Sequence, residues 1–397
     1  MFHSRRAILL SLIMTIAVPL WAEGGGEPIK IPLVTTAIPD DIMYQSPSDV
    51  LGAPWGDENV PGQFYLTEKN PSQTFTLGGI EHIVKVETPT RKPDKLLLKI
   101  PTQERTIDLP IPFNLGVGKE PIELTLDNGR KYFLRGNGGP DTFIDREARK
   151  EVSVTSCWFW PAGVQTGKIG QSSIALFDSN LDGFYTSGED GIFIGPPLIF
   201  LGTPREPQLV QPLSKYISIP PPTGGIFEIQ NLTKDGSELT LLPYHGPTAS
   251  LEVITPQKGL GHIIMTSDAG LNVMLSGKPG ESVTVIPGDY TILAARLYSP
   301  LRPQGPRTRM MISGVGMPPL KVAAGAKQTL VLSGPKILEF SAMMVDGKVN
   351  IKFDPRHWIK GQAGETYLNV SYDLKNPPEV HLNVDGKSTL LGKMEYG

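Results

Sequence analysis

Apolar residues in this chain come in short runs or alternate with polar ones, and both patterns predict β-strands. The first clear strands are Phe64-Tyr65-Leu66, Thr74-Phe75-Thr76-Leu77, Ile83-Val84-Lys85-Val86 and Leu96-Leu97-Leu98-Lys99-Ile100. Ile122-Glu123-Leu124-Thr125-Leu126 and Lys131-Tyr132-Phe133-Leu134 flank Asp127-Asn128-Gly129-Arg130. Asn-Gly between two such runs is a strong hairpin signal, because a two-residue turn there needs positive φ at both central positions. A longer strand runs from Lys150 to Trp160, with Val152, Val154, Trp158 and Trp160 on one face and Cys157 and Phe159 on the other. No stretch after the first 22 residues has the three-to-four-residue period of an amphipathic helix.

The same idiom continues to the end of the chain. Ile226-Phe227-Glu228-Ile229 and Glu238-Leu239-Thr240-Leu241 flank Lys234-Asp235-Gly236, a second hairpin. Ser282 to Ile286, Pro287-Gly288, then Asp289 to Ile292 reads as strand, turn, strand. That stretch resembles the transthyretin-like and carboxypeptidase-regulatory-like sandwiches of secreted proteins. Val345-Asp346-Gly347-Lys348 and Val384-Asp385-Gly386-Lys387 are turns between alternating strands, a layout similar to a small immunoglobulin-like sandwich. The expected organisation is all-β: a leader over residues 1–22, an N-terminal β domain over 23–208 that begins with an extended Pro- and Gly-rich entry segment, a middle sandwich over 209–335 and a small C-terminal domain over 336–397.

Composition narrows the functional classes. The chain has 397 residues, 38 of them Pro and 43 Gly, with no repeat period, which suits many turns between short strands. The formal net charge is −3 and no basic block occurs, so nucleic acid and anionic membrane surfaces are poor partners. Arg5 and Arg6, the apolar run Ala7 to Leu20 and the small residue Ala22 have the form of a secretory signal, too short for a membrane span. The expected product is soluble, secreted or periplasmic, and not inserted in a membrane. Cys157 is the single cysteine, so no internal disulfide is possible, and its apolar neighbours predict burial.

One stretch carries candidate chemistry. Asp178 to Glu189, D-S-N-L-D-G-F-Y-T-S-G-E, matches the calcium-loop pattern D-x-[DN]-x-[DN]-G-x5-E at every constrained position. Calcium takes six to eight oxygen ligands. Asp178, Asn180 and Asp182 sit at alternate positions, so a curling chain can aim their oxygens inward. Gly183 permits the sharp turn, Phe184 offers its carbonyl, Thr186 ligates directly or through a water, and Glu189 closes the site with two oxygens. The alternative is a polar hairpin loop built from Asx-turns that holds no metal. These twelve residues resemble the loops of EF-hands and dockerin modules, which implies Ca2+ as the bound ion. Their flanks, Ser173 to Phe177 and Gly191 to Gly195, read as strands and not as helices, so a static site is expected rather than a sensor. The layout as a whole resembles exported bacterial proteins in which a calcium loop between strands precedes β-sandwiches.

Trp158 and Trp160, sharing a face, form a candidate ligand-stacking platform, with a heavy aromatic core as the alternative. Familiar catalytic signatures do not occur: the six histidines lack zinc-ligand spacing, and there is no nucleophile elbow, P-loop or dinucleotide fingerprint. Ser333-Gly334-Pro335-Lys336 matches S-x-x-K only formally, since Gly-Pro prevents the helix that would aim the lysine. Asp354 to Trp358 gathers a carboxylate, a cation and an aromatic, and reads as a loop. Two functions follow as expectations: a non-catalytic, calcium-stabilised binder of a protein or polysaccharide, or a secreted polymer hydrolase whose paired carboxylates come from separate strands.

Overall fold

The computed structural model describes residues 26–38, 44–45, 63–67, 70–86, 96–99, 121–126, 129–145, 150–186, 190–195, 208–220, 223–255, 261–277, 279–299, 308–314, 316–332, 337–338, 341–345, 348–352, 359–361, 363–368, 379–384 and 387–393. The leader, Glu189, the S-x-x-K segment and the Asp354 to Trp358 loop lie outside them. Among the described residues every regular element is a strand, so the protein is all-β with a sandwich-like, multi-sheet architecture. No helix among these residues is long and apolar enough to cross a membrane.

Among the described residues the predicted strands are present and those flanking Gly129, Gly236, Gly347 and Gly386 pair as hairpins, but Ser282–Val285 and Gly288–Ser299, on either side of Pro287, lie in different sheets. Ser72–Leu77, Ile80–Val86 and Leu96–Lys99 form a three-stranded antiparallel sheet. Gln63–Leu66, Lys150–Pro161, Lys131–Asp145 and Ile122–Thr125 form a four-stranded one, in that spatial order. Its Asn-Gly hairpin departs from the expected two-residue turn. Leu126 N–H donates to the Arg130 carbonyl, so three residues lie between them, and Gly129 has φ +76°. A three-residue hairpin loop commonly ends on a residue in the left-handed region, the place Gly129 takes.

Gln211–Pro212, Gly191–Gly195, Ser172–Phe177, Gly163–Ile169 and Val34–Ala37 make a five-stranded sheet. The largest sheet has twelve strands, one from the start of the described chain and eleven from Tyr216 onward. It begins with Ile29–Pro32 beside Glu238–Pro243, passes through Ile226–Leu232 and Gly288–Ser299, and ends with Thr366–Leu368, Ile359–Lys360 and Ile337–Leu338. The entry segment therefore pairs in two sheets, Ile29–Pro32 in the twelve-stranded one and Val34–Ala37 in the five-stranded one. Ile29, Ile31 and Leu33 alternate as a half-buried strand requires, with Ile31 and Leu33 buried.

Two cores position the candidate site, and a third lies away from it. The four-stranded and three-stranded sheets enclose Leu66, Leu77, Val84, Leu124, Leu134, Cys157 and Phe159. Rings of Phe75 and Phe159 stack there, with centroids 6.1 Å apart. The five-stranded sheet packs on the twelve-stranded one through Ile31, Ile174, Leu176, Ile192, Leu239 and Leu241. The third core joins the twelve-stranded sheet to Ala249–Ile254, Ser282–Val285 and Lys327–Val331 through Leu251, Val253, Ile263, Tyr290 and Leu330. Strand Ser172–Phe177 is buried at every position, so it is covered on both faces. Deleting a side chain there leaves a cavity that two sheets cannot both close. Ile174→Ala should lower unfolding free energy by about 2–5 kcal/mol in urea melts followed by tryptophan fluorescence, with far-UV circular dichroism remaining of β type.

Candidate metal centre

Phe177 pairs with Gly191, so the motif forms the long connection of an antiparallel hairpin. Strands flank it on both sides, as its neighbours' apolar runs predict. Asp178 lies at the end of Ser172–Phe177 with 1% of its surface exposed. Three donors converge on its carboxylate. Tyr132 O–H reaches Oδ2 at 2.6 Å and Gly183 N–H reaches the same oxygen at 2.7 Å, while Asp182 N–H reaches Oδ1 at 3.2 Å. The chain is thus curled around Asp178 by its own backbone.

Two left-handed residues make the curl, Leu181 at φ +59° and Gly183 at φ +79°. At Gly183 no side chain fits: a Cβ would lie 2.4 Å from the backbone nitrogen of Gly78. That closeness belongs to a docked turn, since Gly78 N–H donates to the Asp182 carbonyl at 2.7 Å. Leu181 is the one described non-glycine residue with positive φ. Its conformation costs on the order of 1 kcal/mol, and burial of its side chain, 5% exposed among Leu66, Leu77 and Cys157, offsets that by about 2 kcal/mol.

The remaining motif residues bond within the loop. Asn180 Oδ1 accepts from Asp182 N–H at 3.1 Å, and Asp182 Oδ1 accepts from Phe184 N–H at 2.7 Å, two successive Asx-turns. Asn180 Nδ2 donates to Asp182 Oδ2 at 3.2 Å. Asp178, Asn180 and Asp182 therefore occupy one small turn, while Thr186 is exposed and Glu189 lies outside the described residues. Among the described residues no three Asp, Glu, His or Cys side chains are grouped closely enough to hold an ion by themselves. The candidate ligand set needs Asn180, the Phe184 carbonyl and Glu189 to complete it.

Pattern matching passed over five neighbours. Asp190 is fully buried, and its Oδ1 accepts from Ser179 N–H at 3.3 Å. Tyr132 comes from the four-stranded sheet and Arg130 from the turn before it. Leu181 and Tyr185 occupy unconstrained positions of the motif, yet each is nearly inaccessible. Apolar residues inside an otherwise polar loop were the available signal. Tyr132 and Arg130 had none, because 46 residues separate Tyr132 from Asp178.

Burial dominates the electrostatics. It pushes the Asp178 carboxyl up to about 7, against the pull of the Tyr132 and Gly183 donors, and the charges of Asp190 and Asp182 add to the rise. Burial, then the Asp178 charge, holds the Tyr132 hydroxyl well above its ordinary value. Away from the loop, burial alone pushes the Cys157 thiol up to about 12, so it is a core residue and not a nucleophile. Trp160 is half-buried, and the Trp158 side chain lies outside the described residues, so a shared stacking face is not defined. An open groove of about 410 Å³ borders the loop at Thr186, between Ser214-Lys215 and Ile229 to Leu232. Among the described residues that line it there is no carboxylate.

Two outcomes follow. Unfolded, Asp178 loses its proton near 3.8, and folded near 7, so across that window the metal-free folded state holds the extra proton. Stability of the metal-free protein should fall as pH rises through the window, by up to roughly 4 kcal/mol, and Asp178→Asn should remove that part of the slope in urea melts at a series of pH values. Gly183→Ala should cost about 1–3 kcal/mol by the same assay, since it forces both the left-handed backbone and the contact with Gly78.

Comparison of the chain with protein-family models, with curated proteins and with solved structures yields no match, so the site is read from its own geometry.

Proposed function

We propose that Asp178 to Glu189 holds a calcium ion that stabilises an exported β-protein, and that this protein binds a protein or polysaccharide without transforming it. The observation that carries the reading is a buried carboxylate, Asp178, wrapped by its own loop, its pKa raised first by burial and then by the nearby charges of Asp190 and Asp182. Carboxylates held together away from water repel one another, and a divalent cation removes the repulsion. The side chains of Asp178, Asn180, Asp182, Thr186 and Glu189 and the carbonyl of Phe184 are the proposed ligands. All are oxygen donors, the set a hard cation prefers.

A static role fits the flanks. Strands on either side, paired from Phe177 to Gly191 onward, leave no pair of helices to open. The ion's proposed effect is to hold the folded chain, at a place where sheets meet. Polymer hydrolysis, the alternative, needs two carboxyl groups about 5–10 Å apart across a cleft. Export rests on the leader-like residues 1–22.

A ligand that binds only the folded state at a hundredfold its Kd adds about 2.7 kcal/mol. Millimolar calcium should therefore raise the melting temperature by several degrees, and Asp178→Ala or Glu189→Ala should abolish that gain in scanning calorimetry. Absence of calcium heat in isothermal titration at millimolar metal would refute the site.

A further inference from the structure

Three reverse turns, each from a different sheet, meet on the backbone of the Asp178 loop. The first is Gly78-Gly79 of the three-stranded sheet, whose Gly78 N–H binds the Asp182 carbonyl. The second is the Gly129 turn of the four-stranded sheet, which delivers Arg130. The third is Thr233 to Glu238 of the twelve-stranded sheet, where Gly236 N–H donates to the Thr233 carbonyl at 2.8 Å. Arg130 spans two of the contacts. Its guanidinium donates from one nitrogen to the Gly183 carbonyl and from the other to the Asp235 carbonyl, and its carbon lies 5.7 Å from the Tyr185 ring centre. Further contacts tie the same turn to the loop. Tyr185 N–H donates to the Lys234 carbonyl at 3.1 Å, and Lys234 Nζ sits 3.8 Å over the Phe184 ring.

We infer that Arg130 is the positioning residue of this loop, and that through it binding of an ion at Asp178 to Glu189 is felt by the Thr233 to Glu238 turn. The inference rests on the calcium reading above. The planar fork of arginine holds two carbonyls in fixed directions, which the single ammonium of lysine does not reproduce. One of those carbonyls belongs to Gly183, between the proposed ligands Asp182 and Phe184, so the fork fixes the backbone on which their oxygens are presented. Partners one bond removed from a metal's ligands commonly change affinity 10–100-fold when replaced. Arg130 also carries a positive charge, which by itself opposes a cation. Position and charge therefore predict opposite signs. Losing the fork weakens binding, whereas losing only the charge tightens it.

The test combines calcium titration with hydrogen exchange on the full chain. Arg130→Lys and Arg130→Gln should both bind calcium about tenfold or more weakly than the wild type. In the wild type, calcium should slow exchange at Gly78, at Tyr185 and across 233–238. In Arg130→Lys with calcium at saturation, the slowing should persist at 179–184 and disappear at 233–238. Exchange in Ala249–Ile254 should be unchanged, which separates positioning from a general loss of stability. Wild-type affinity in Arg130→Lys with tighter binding in Arg130→Gln would show that only charge matters and overturn the positioning role. Calcium uptake by the wild type with no change at 233–238 would overturn the coupling, and this measurement decides alone if the variants do not fold. Either result leaves the calcium reading standing, whereas a wild type that takes up no calcium overturns both.

Discussion

One loop is pinned by two hydrophobic cores at once, and the architecture around it depends on that. Leu181 is sealed into the core between the three- and four-stranded sheets, and Tyr185, four residues on, into the core between the five- and twelve-stranded sheets. Burying two side chains of that size contributes several kcal/mol, enough to hold Leu181 in a left-handed conformation. The polar residues between them have little freedom left. They lie where the backbone, fixed at both apolar anchors, puts them.

That constraint explains the electrostatics. Asp178 is drawn out of water because strand Ser172–Phe177 is covered on both faces and its end is covered too. A carboxylate so placed needs donors, and it has Tyr132, Asp182 and Gly183. The donors do not outweigh the desolvation, so the group remains a weak acid compared with an ordinary aspartic acid. An arrangement serving packing alone is better made with an apolar residue, since a buried charge is rarely retained for stability. The Asx-turns of Asn180 and Asp182 show that the loop can satisfy itself locally, and also that its oxygens are gathered within a few residues of one another. Both facts suit the proposed cation site, in which the loop is shaped before an ion arrives.

Glycine turns complete the junction. The close approach of Gly183 to Gly78 and the short reach from the Gly129 turn to Asp235 bring separate sheets within hydrogen-bond distance of one chain segment. The loop is thus one of the places where these sheets are joined, beside the shared core of the five- and twelve-stranded sheets.

Local patterning determined many of the strands, because alternation and turn glycines act over a few positions, but not Ile29–Pro32, Val34–Ala37 or Gly163–Ile169. Phe75, Val84 and Leu124 belong to strands whose place in the sequence follows from period two. The candidate site was legible as far as Asp178, Asn180, Asp182 and Gly183, since their spacing is itself the motif. Tertiary structure decided the rest. Ile29–Pro32 pairs with Glu238–Pro243, and Thr308–Ser313 with Thr366–Leu368, so a single sheet crosses the boundaries that turn-rich stretches suggested near 208 and 335. Tyr132, Arg130 and Asp190 become neighbours of the loop through long-range pairing and packing, which no local spacing encodes. Even the Asn128-Gly129 turn took its length from the register of Thr125 with Lys131 and not from its own two residues. The physical reason is the range of the forces. Strand preference is set by each residue and its near neighbours, whereas partner choice is set by which apolar faces can exclude water together.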